Sequence, residues 1–357
     1  MANILGEEKK NKSKPNFATE LDRLKKPIWS RIEHYLPNKS PSEYYAAVNE
    51  YPRRQGKYFR PALVVLATEM FGGNINDSYL TAAAMQMSEE WLLVHDDFLD
   101  NSEERRSTKE ECRPSLNKIY GDEIAVNAGD TLHALMWKIV GDSVRELGDE
   151  RGWRVYKKIN DIILTTLEGQ YMELAWNRDR KIDITENEYY EMIYIKAGYY
   201  TVTGPSQLGG IIAGISDKDL DSVREWGISF GCSFQIWDDV MNLTINADIS
   251  GKEKGGDILE GKRTLSLIHL LRSCSAVEKE YIKTVYAKKR EEKTNAEVQH
   301  ILTLMERYGC IEYAIKQAKD FSNKALKVFD NQVSRRLNGN AADIIREGIK
   351  FVVNRSR

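Results

Sequence analysis

Proline is scarce in this chain, with 8 in 357 residues. The residue that most reliably breaks helices is therefore nearly absent, and long stretches are left open to helix. Cysteine is scarcer still. Cys112, Cys232, Cys274 and Cys310 are scattered with no C-x-x-C pair, which argues against a zinc site or a disulfide framework and makes a reducing cytoplasm the expected compartment. Charge of one sign is also lacking: 52 Lys and Arg face 54 Asp and Glu, for a formal net charge of −2. Nucleic acid is not expected as a bulk electrostatic partner. No window approaches ~18 uninterrupted apolar residues, so no ordinary transmembrane helix is expected. Met1 to Lys14 is polar and lysine-rich without an apolar core, unlike a secretory signal. Residues 1–16 are expected to form a disordered polar tail.

What remains is helical in pattern. Leu21, Leu24, Ile28 and Ile32 recur at helical spacing until Pro37, and Ser40-Pro41-Ser42-Glu43 resembles a helix start. Tyr58 to Phe71 reads as a helix stopped by Gly72-Gly73, and Asn76-Asp77 precede a long run to Asp100. Asn101 to Arg113 reads as a loop. Gly121-Asp122 opens a further helix through Ile139, Gly148 to Gly152 reads as a turn, and Trp153 to Trp176 as another long helix. Ile184 to Glu188 has capping character before Tyr189 to Thr203, which Pro205 is expected to break or kink. Asp217 to Leu243 is one long segment, Asn246 to Gly261 a Gly- and Lys-rich loop, and helices resume to the C-terminus with a break near Asn338-Gly339-Asn340. No strand meander is visible. Long helices on short loops predict an all-α fold, a large single-domain bundle over residues 17–357.

The organising stretch is Val94-His95-Asp96-Asp97-Phe98-Leu99-Asp100, which closes a mostly apolar helical run from Met85. Asp96 and Asp100 are four residues apart and share a helix face, with Asp97 beside them. Carboxylates this close repel one another at neutral pH. A hard divalent cation relieves the cost, and Mg²⁺ suits one or two carboxylates plus substrate phosphates. Arg105-Arg106 follow, and guanidinium forks match phosphate oxygens. A solvated helix end explains one such motif as well as a metal site does. A second motif, Gln235-Ile236-Trp237-Asp238-Asp239-Val240-Met241-Asn242, closes another apolar run and is trailed by Lys252 and Lys262. Two acidic helix ends, each followed by basic residues, point to a polyphosphate site.

These motifs resemble those of the trans-isoprenyl diphosphate synthases, the short-chain prenyltransferases that include farnesyl and geranylgeranyl diphosphate synthases. The likeness runs from about Gln55 to about Thr264. It implies an isoprenoid-synthase helix bundle with a central cavity, a homodimer, and Mg²⁺, three ions per site, held by Asp96, Asp97, Asp100, Asp238 and Asp239. Gln55-Gly56-Lys57-Tyr58-Phe59-Arg60-Pro61 matches the family's G-G-K-x-x-R-P site, so Gly56, Lys57 and Arg60 are implied to bind the diphosphate of isopentenyl diphosphate. Arg105 is implied to contact the allylic diphosphate and Arg106 isopentenyl diphosphate. Lys196, Lys252 and Lys262 fall where the family keeps diphosphate-binding lysines, and Gln235 where it keeps a glutamine near the reacting carbons. Trp91 and Leu92, one turn or so before Asp96, occupy the positions that form the floor beneath the growing chain.

Several positions depart from the family pattern. Gln55 replaces a glycine, Ala197 the threonine of the K-T motif, Ser107 a glycine and Asn242 the last aspartate of the second motif. Glu89, seven residues before Asp96, stands where histidine or glutamine is usual; a carboxylate there repels a diphosphate unless it is protonated, paired or turned away. His95 reads as a structural hydrogen-bonding residue rather than a base.

The implied reaction is Mg²⁺-dependent condensation of isopentenyl diphosphate with an allylic diphosphate. Asp96, Asp100, Asp238, Arg105, Lys196 and Lys262 carry it; the bulk of Trp91 suits an early stop, and its resemblance to the family pattern of one aromatic there with no insertion in the first motif implies products of C15 to C20, leaning to C20. Two other activities use parts of the same apparatus: a terpene cyclase, which needs no second diphosphate site, and a non-catalytic subunit of a heteromeric synthase, which commonly loses an acidic motif.

Overall fold

A computed structural model describes residues 16–108, 110–244, 255–333 and 339–354. Lys252 and residues 1–15 of the expected tail therefore lie outside the described residues. The fold is all-α: among the described residues the only extended pairing is an isolated bridge between Glu104 and Pro114. In chain order the helices are α1 Phe17–Tyr35, α2 Ser42–Arg54, α3 Phe59–Met70, α4 Tyr79–Leu99, α5 Leu116–Tyr120, α6 Asp122–Leu147, α7 Asp149–Arg178, α8 Glu186–Ile193, α9 Gly204–Ile212 and α10 Asp217–Thr244. Then come α11 Gly256–Glu260, α12 Leu265–Ser273, α13 Ala276–Tyr286, α14 Asn295–Arg307, α15 Cys310–Val333 and α16 Gly339–Val352. No helix of the described residues is long and apolar enough to cross a membrane.

Burial explains the arrangement. α3 is buried along nearly its whole length, because α4, α9, α1 and α16 cover it. α4 packs against α6 on one side and α3 and α1 on the other, so it is buried on nearly every face from Tyr79 to Trp91. α10 packs against α15, where Trp226, Phe230 and Phe329 interlock by edge and tilted ring contacts. Phe59 links the two halves, touching Phe17 on α1 and Phe230 and Phe234 on α10. One continuous apolar core results.

Three local features differ from the sequence reading. α7 starts at Asp149, immediately after Gly148 at φ +78°; Gly152 is helical, and a side chain there would collide with Val144 of α6. Pro205 does not break its helix. The chain runs from α8 through a π-helical segment, Tyr194–Thr203, into α9, and the Gly204 N–H donates to the Tyr199 carbonyl five residues back. The widened turn lets proline enter at the start of α9, where a missing N–H costs little. The expected loop before Gly261 contains the short α11. The capping character at Thr185 is a full capping box with Glu188.

Candidate active site

The last turn of α4 carries Asp96 and Asp97, and Asp100 caps the helix, its N–H donating to the Asp96 carbonyl at 2.9 Å. Carboxylates at the negative end of a helix dipole need external cations. Three arrive from distant segments. Arg105 Nη2 and Lys196 Nζ each lie 3.8 Å from an Asp96 oxygen, and Lys262 Nζ lies 3.3 Å from Asp100 Oδ2. Asp97 is turned about 100° round the helix from Asp96 and is fully buried. It accepts a 2.6 Å hydrogen bond from the Tyr51 hydroxyl and is clasped by the Arg105 fork.

The second motif repeats this division. Asp238 on α10 is exposed. Asp239 turns inward and accepts from the Tyr189 hydroxyl at 2.7 Å and from Gln235 Nε2 at 2.8 Å. Asn242 Oδ1 accepts from the Asp257 N–H at 3.0 Å, and its carbonyl from the Gly255 N–H. The residue in the place of an aspartate thus ties the end of α10 to α11. Gly255 and Gly261 both adopt the left-handed conformation that glycine tolerates, and the turn delivers Lys262. Its Nζ pairs with Glu260 at 2.5 Å and Asp257 at 3.7 Å as well as with Asp100. Lys262 therefore ties the first acidic helix end to α11, which Asn242 in turn joins to the end of α10.

Lys196 lies on the π-helical segment and pairs with Glu173 of α7. Glu173 is a site residue that the sequence reading missed. Its signal was Gly169, one turn earlier inside a 30-residue helix, where any side chain would collide with the Lys196 backbone.

Burial, reinforced by Asp96, Glu260 and Glu173, pushes Asp100 up to about 7 although Lys262 opposes the shift. Burial also raises Asp239 to about 6, against the hydrogen bonds from Tyr189 and Gln235. Carboxylates held short of countercharge fit a hard, oxygen-seeking cation. Among the described residues no three metal-ligating side chains form one closed group.

A second cationic cluster lies behind α4, and backbone strain marks it. Gln55, Tyr58 and Arg106 have φ of +47°, +59° and +59°, a region costly for residues with side chains. Gly56 lies so close beneath Arg106 that an added Cβ would stand 2.8 Å from Nη2. The Arg106 fork holds Glu90 at 2.8 and 3.2 Å, and Arg60 Nη1 lies 3.2 Å from Glu89. Lys57 is exposed on the same loop. Arg54, also missed from sequence, donates to the carbonyls of Arg105 and Pro114 at 2.9 Å and so fixes the loop that carries both arginines. Ser107 Oγ accepts from the Arg113 N–H in that loop.

Trp91 is buried and faces α6, stacked on His133 with 4.2 Å between ring centres. Its Nε1–H donates to His95 Nδ1 at 3.2 Å. The His95 proton is thereby assigned to Nε2, facing the Val126 carbonyl at 3.4 Å. Leu92 is half-buried. His95 helps to hold Trp91 in place, which needs no proton transfer.

The polyprenyl synthetase family model matches residues 41–305. The chain is 29% identical over 321 residues to the geranylgeranyl diphosphate synthase of Sulfolobus acidocaldarius, covering 90% of this chain and 92% of that one. It is also 29% identical over 320 residues to the short chain isoprenyl diphosphate synthase of Methanothermobacter thermautotrophicus, covering 89% and 94%. Among solved structures, the geranylgeranyl pyrophosphate synthetase from Pyrococcus horikoshii superposes with a TM-score of 0.81 at 30% identity, covering 94% of this chain and 98% of that one.

Proposed function

The chain belongs to the polyprenyl synthetase family, and on that footing we propose that it is a Mg²⁺-dependent trans-prenyltransferase joining isopentenyl diphosphate to an allylic diphosphate. The observation that carries this reading is the presence of two separate cationic clusters around one helix end. Lys196 and Lys262 gather at Asp96 and Asp100, while Arg60 and Arg106 gather behind them at Glu89 and Glu90. Two diphosphates need two such clusters. A terpene cyclase needs one, and a non-catalytic subunit needs neither acidic motif kept.

Asp96, Asp100 and Asp238 would hold Mg²⁺, which we take as three ions per site, supplying Lewis-acid neutralisation of the departing diphosphate. Lys196, Lys262 and the charge of Arg105 stabilise the same negative charge as the allylic C–O bond breaks. Asp97 and Asp239, engaged by Tyr51, Arg105, Tyr189 and Gln235, orient the helix ends instead of ligating. Gly56, Lys57, Arg60 and Arg106 hold isopentenyl diphosphate so that its terminal alkene carbon attacks the allylic cation. Lys252 adds a further diphosphate contact, and Gln235 lies beside the reacting carbons. The attack leaves positive charge on the adjacent methyl-bearing carbon, and the proton lost from the methylene on its far side passes to the released pyrophosphate, so no protein base is required. The apolar bundle interior excludes the water that would trap the cation.

The floor beneath the chain is formed by Trp91, braced by His133, and by Leu92, and the product is C15 to C20, with C20 favoured. The working unit is a homodimer. Trp153, Tyr156, Leu164, Leu167 and Tyr171 form an exposed apolar stripe at helical spacing along α7, a surface a second copy would cover. Four unpaired cysteines fit a reducing cytoplasm.

The test is incubation with Mg²⁺, labelled isopentenyl diphosphate and each allylic primer from dimethylallyl to geranylgeranyl, with products sized by chromatography. Labelled C15 or C20 diphosphates are expected. Primer loss without label incorporation would establish a cyclase, and no turnover would leave a partner subunit.

A further inference from the structure

The second cationic cluster carries its own anions. Glu89 and Glu90 follow one another on α4, and both carboxylates reach the arginines assigned to isopentenyl diphosphate. Their situations differ. The Glu90 side chain is 1% exposed and bidentate to Arg106, which also donates to the Tyr51 carbonyl at 3.0 Å. Gln86 Nε2 donates to Glu90 at 2.7 Å, so Glu90 is fully engaged. Glu89 is 15% exposed and held loosely, 3.2 Å from Arg60 Nη1 and 3.7 Å from Arg106 Nη2. Glu89 Oε2 has its ion pair with Arg60 and no hydrogen bond besides, and Arg60 Nε and the Tyr58 hydroxyl are buried polar atoms without a hydrogen-bond partner. Buried polar groups are ordinarily satisfied. Two orphans beside one loose ion pair mark a place shaped for an additional polar group.

We propose that Glu89 is a specificity-determining counter-ion of the second diphosphate subsite, occupying Arg60 and Arg106 until an incoming diphosphate displaces it. This rests on the assignment of that subsite to isopentenyl diphosphate. Glu90 keeps Arg106 in position and stays put. Glu89 must swing out of the arginine pair for a phosphate oxygen to take its place. While its carboxylate remains nearby it repels the diphosphate, so binding there is weakened selectively. The other diphosphate, on Lys196 and Lys262, lies beyond this local exchange. The subsite thereby rejects weakly held anions such as free phosphate, because only a ligand meeting Arg60, Arg106 and Lys57 together recovers what the displaced ion pair gave up.

The test compares the parent chain with Glu89→Gln, which removes the charge and keeps the shape, and with Glu89→Asp, which keeps the charge. KM for isopentenyl diphosphate is measured with the allylic diphosphate saturating, and KM for the allylic diphosphate serves as the internal reference. Coulomb energy between unit charges at an effective dielectric constant near 20 and roughly 6 Å corresponds to a fall of about a hundredfold in KM for isopentenyl diphosphate in Glu89→Gln. The allylic KM should hold, and Glu89→Asp should stay near the parent. Calorimetric titration of isopentenyl diphosphate into metal-free protein supplies a readout independent of turnover, and Kd should fall in step. A parent that binds and turns over isopentenyl diphosphate, with Kd and KM unchanged or raised in Glu89→Gln, overturns the proposal while sparing the function. A parent that neither binds nor incorporates isopentenyl diphosphate overturns the function and the counter-ion role with it.

Discussion

Asp96 and Asp97 adjoin in sequence, yet the structure gives their replacements opposite outcomes. Asp97 is 0% exposed and Arg105 7%, and the two share a buried pair completed by the Tyr51 hydroxyl. Asp97→Asn strands the guanidinium in the core without its countercharge. Removing one partner of a buried pair costs about 3–5 kcal/mol. Unfolding entropy of about 2.1 cal/mol/K per residue over 357 residues converts this into a fall in melting temperature of roughly 4–7 °C. Asp96 has a side chain 26% exposed and lies 3.8 Å from both Arg105 Nη2 and Lys196 Nζ. Its charge helps to push up Asp100, so Asp96→Asn relieves repulsion. The metal-free protein should then melt within about 1 °C of the parent, while turnover with Mg²⁺ drops by at least about a hundredfold. Thermal unfolding by circular dichroism in chelator, alongside the labelled-product assay, reads both quantities. Equal melting-temperature losses in the two variants, or a loss under about 1 °C in Asp97→Asn, would refute the division of roles. Combining Asp97→Asn with Arg105→Met should recover part of the lost stability, because the stranded charge is gone.

Three further outcomes follow from other parts of the molecule. Trp91→Ala opens the space beside His133, and chromatography should show products at least one five-carbon unit longer; unchanged length would remove Trp91 from the floor. Leu164→Glu places a charge in the exposed stripe of α7, and light scattering should give a monomer mass; a persisting dimer would place the interface elsewhere. Lys293 is buried and depressed to about 8 by burial and by Arg263 and Arg290, while its Nζ donates to the Ile258 and Leu259 carbonyls at the end of α11. A lysine depressed in the fold binds fewer protons there than in the unfolded chain, so its contribution to stability rises as pH climbs from about 8 towards 10. The melting temperature of the parent minus that of Lys293→Met should increase over this window, and a flat difference would show that Lys293 stays charged.

The helices were legible because their determinants are local. Few prolines, apolar spacing along α1, and the Thr185–Glu188 capping box each act within a turn or two of themselves. The misread places depend on distant partners. Gly152 looks like a turn residue until Val144 of α6 is seen pressed against it. Pro205 looks like a helix breaker until the preceding turn widens, where Gly198 packs on Gly231 of α10. The stretch before Gly261 looks like a loop because α11 is stabilised from outside, by Asn242 at its start and Lys293 at its end.

The candidate site divides along the same line, and here the spacing said more than was first taken from it. Residues four apart share a helix face, so Asp96 and Asp100 belong together, whereas adjacent residues diverge by about 100°. That rotation alone separates Asp97 from Asp96, and Asp239 from Asp238. Only the third dimension supplies what waits on the other face, which both times is a tyrosine hydroxyl: Tyr51 for Asp97 and Tyr189 for Asp239. A doubled aspartate at a helix end can therefore serve two purposes, one carboxylate kept for a cation and its neighbour buried to fix the direction of the first. Glu89 and Glu90 follow the same logic with arginines in place of a metal. Glu90 is locked and positions Arg106, and Glu89 is loose and meets what comes in. In these three acidic pairs, burial decides which carboxylate builds the site and which one is left to work in it.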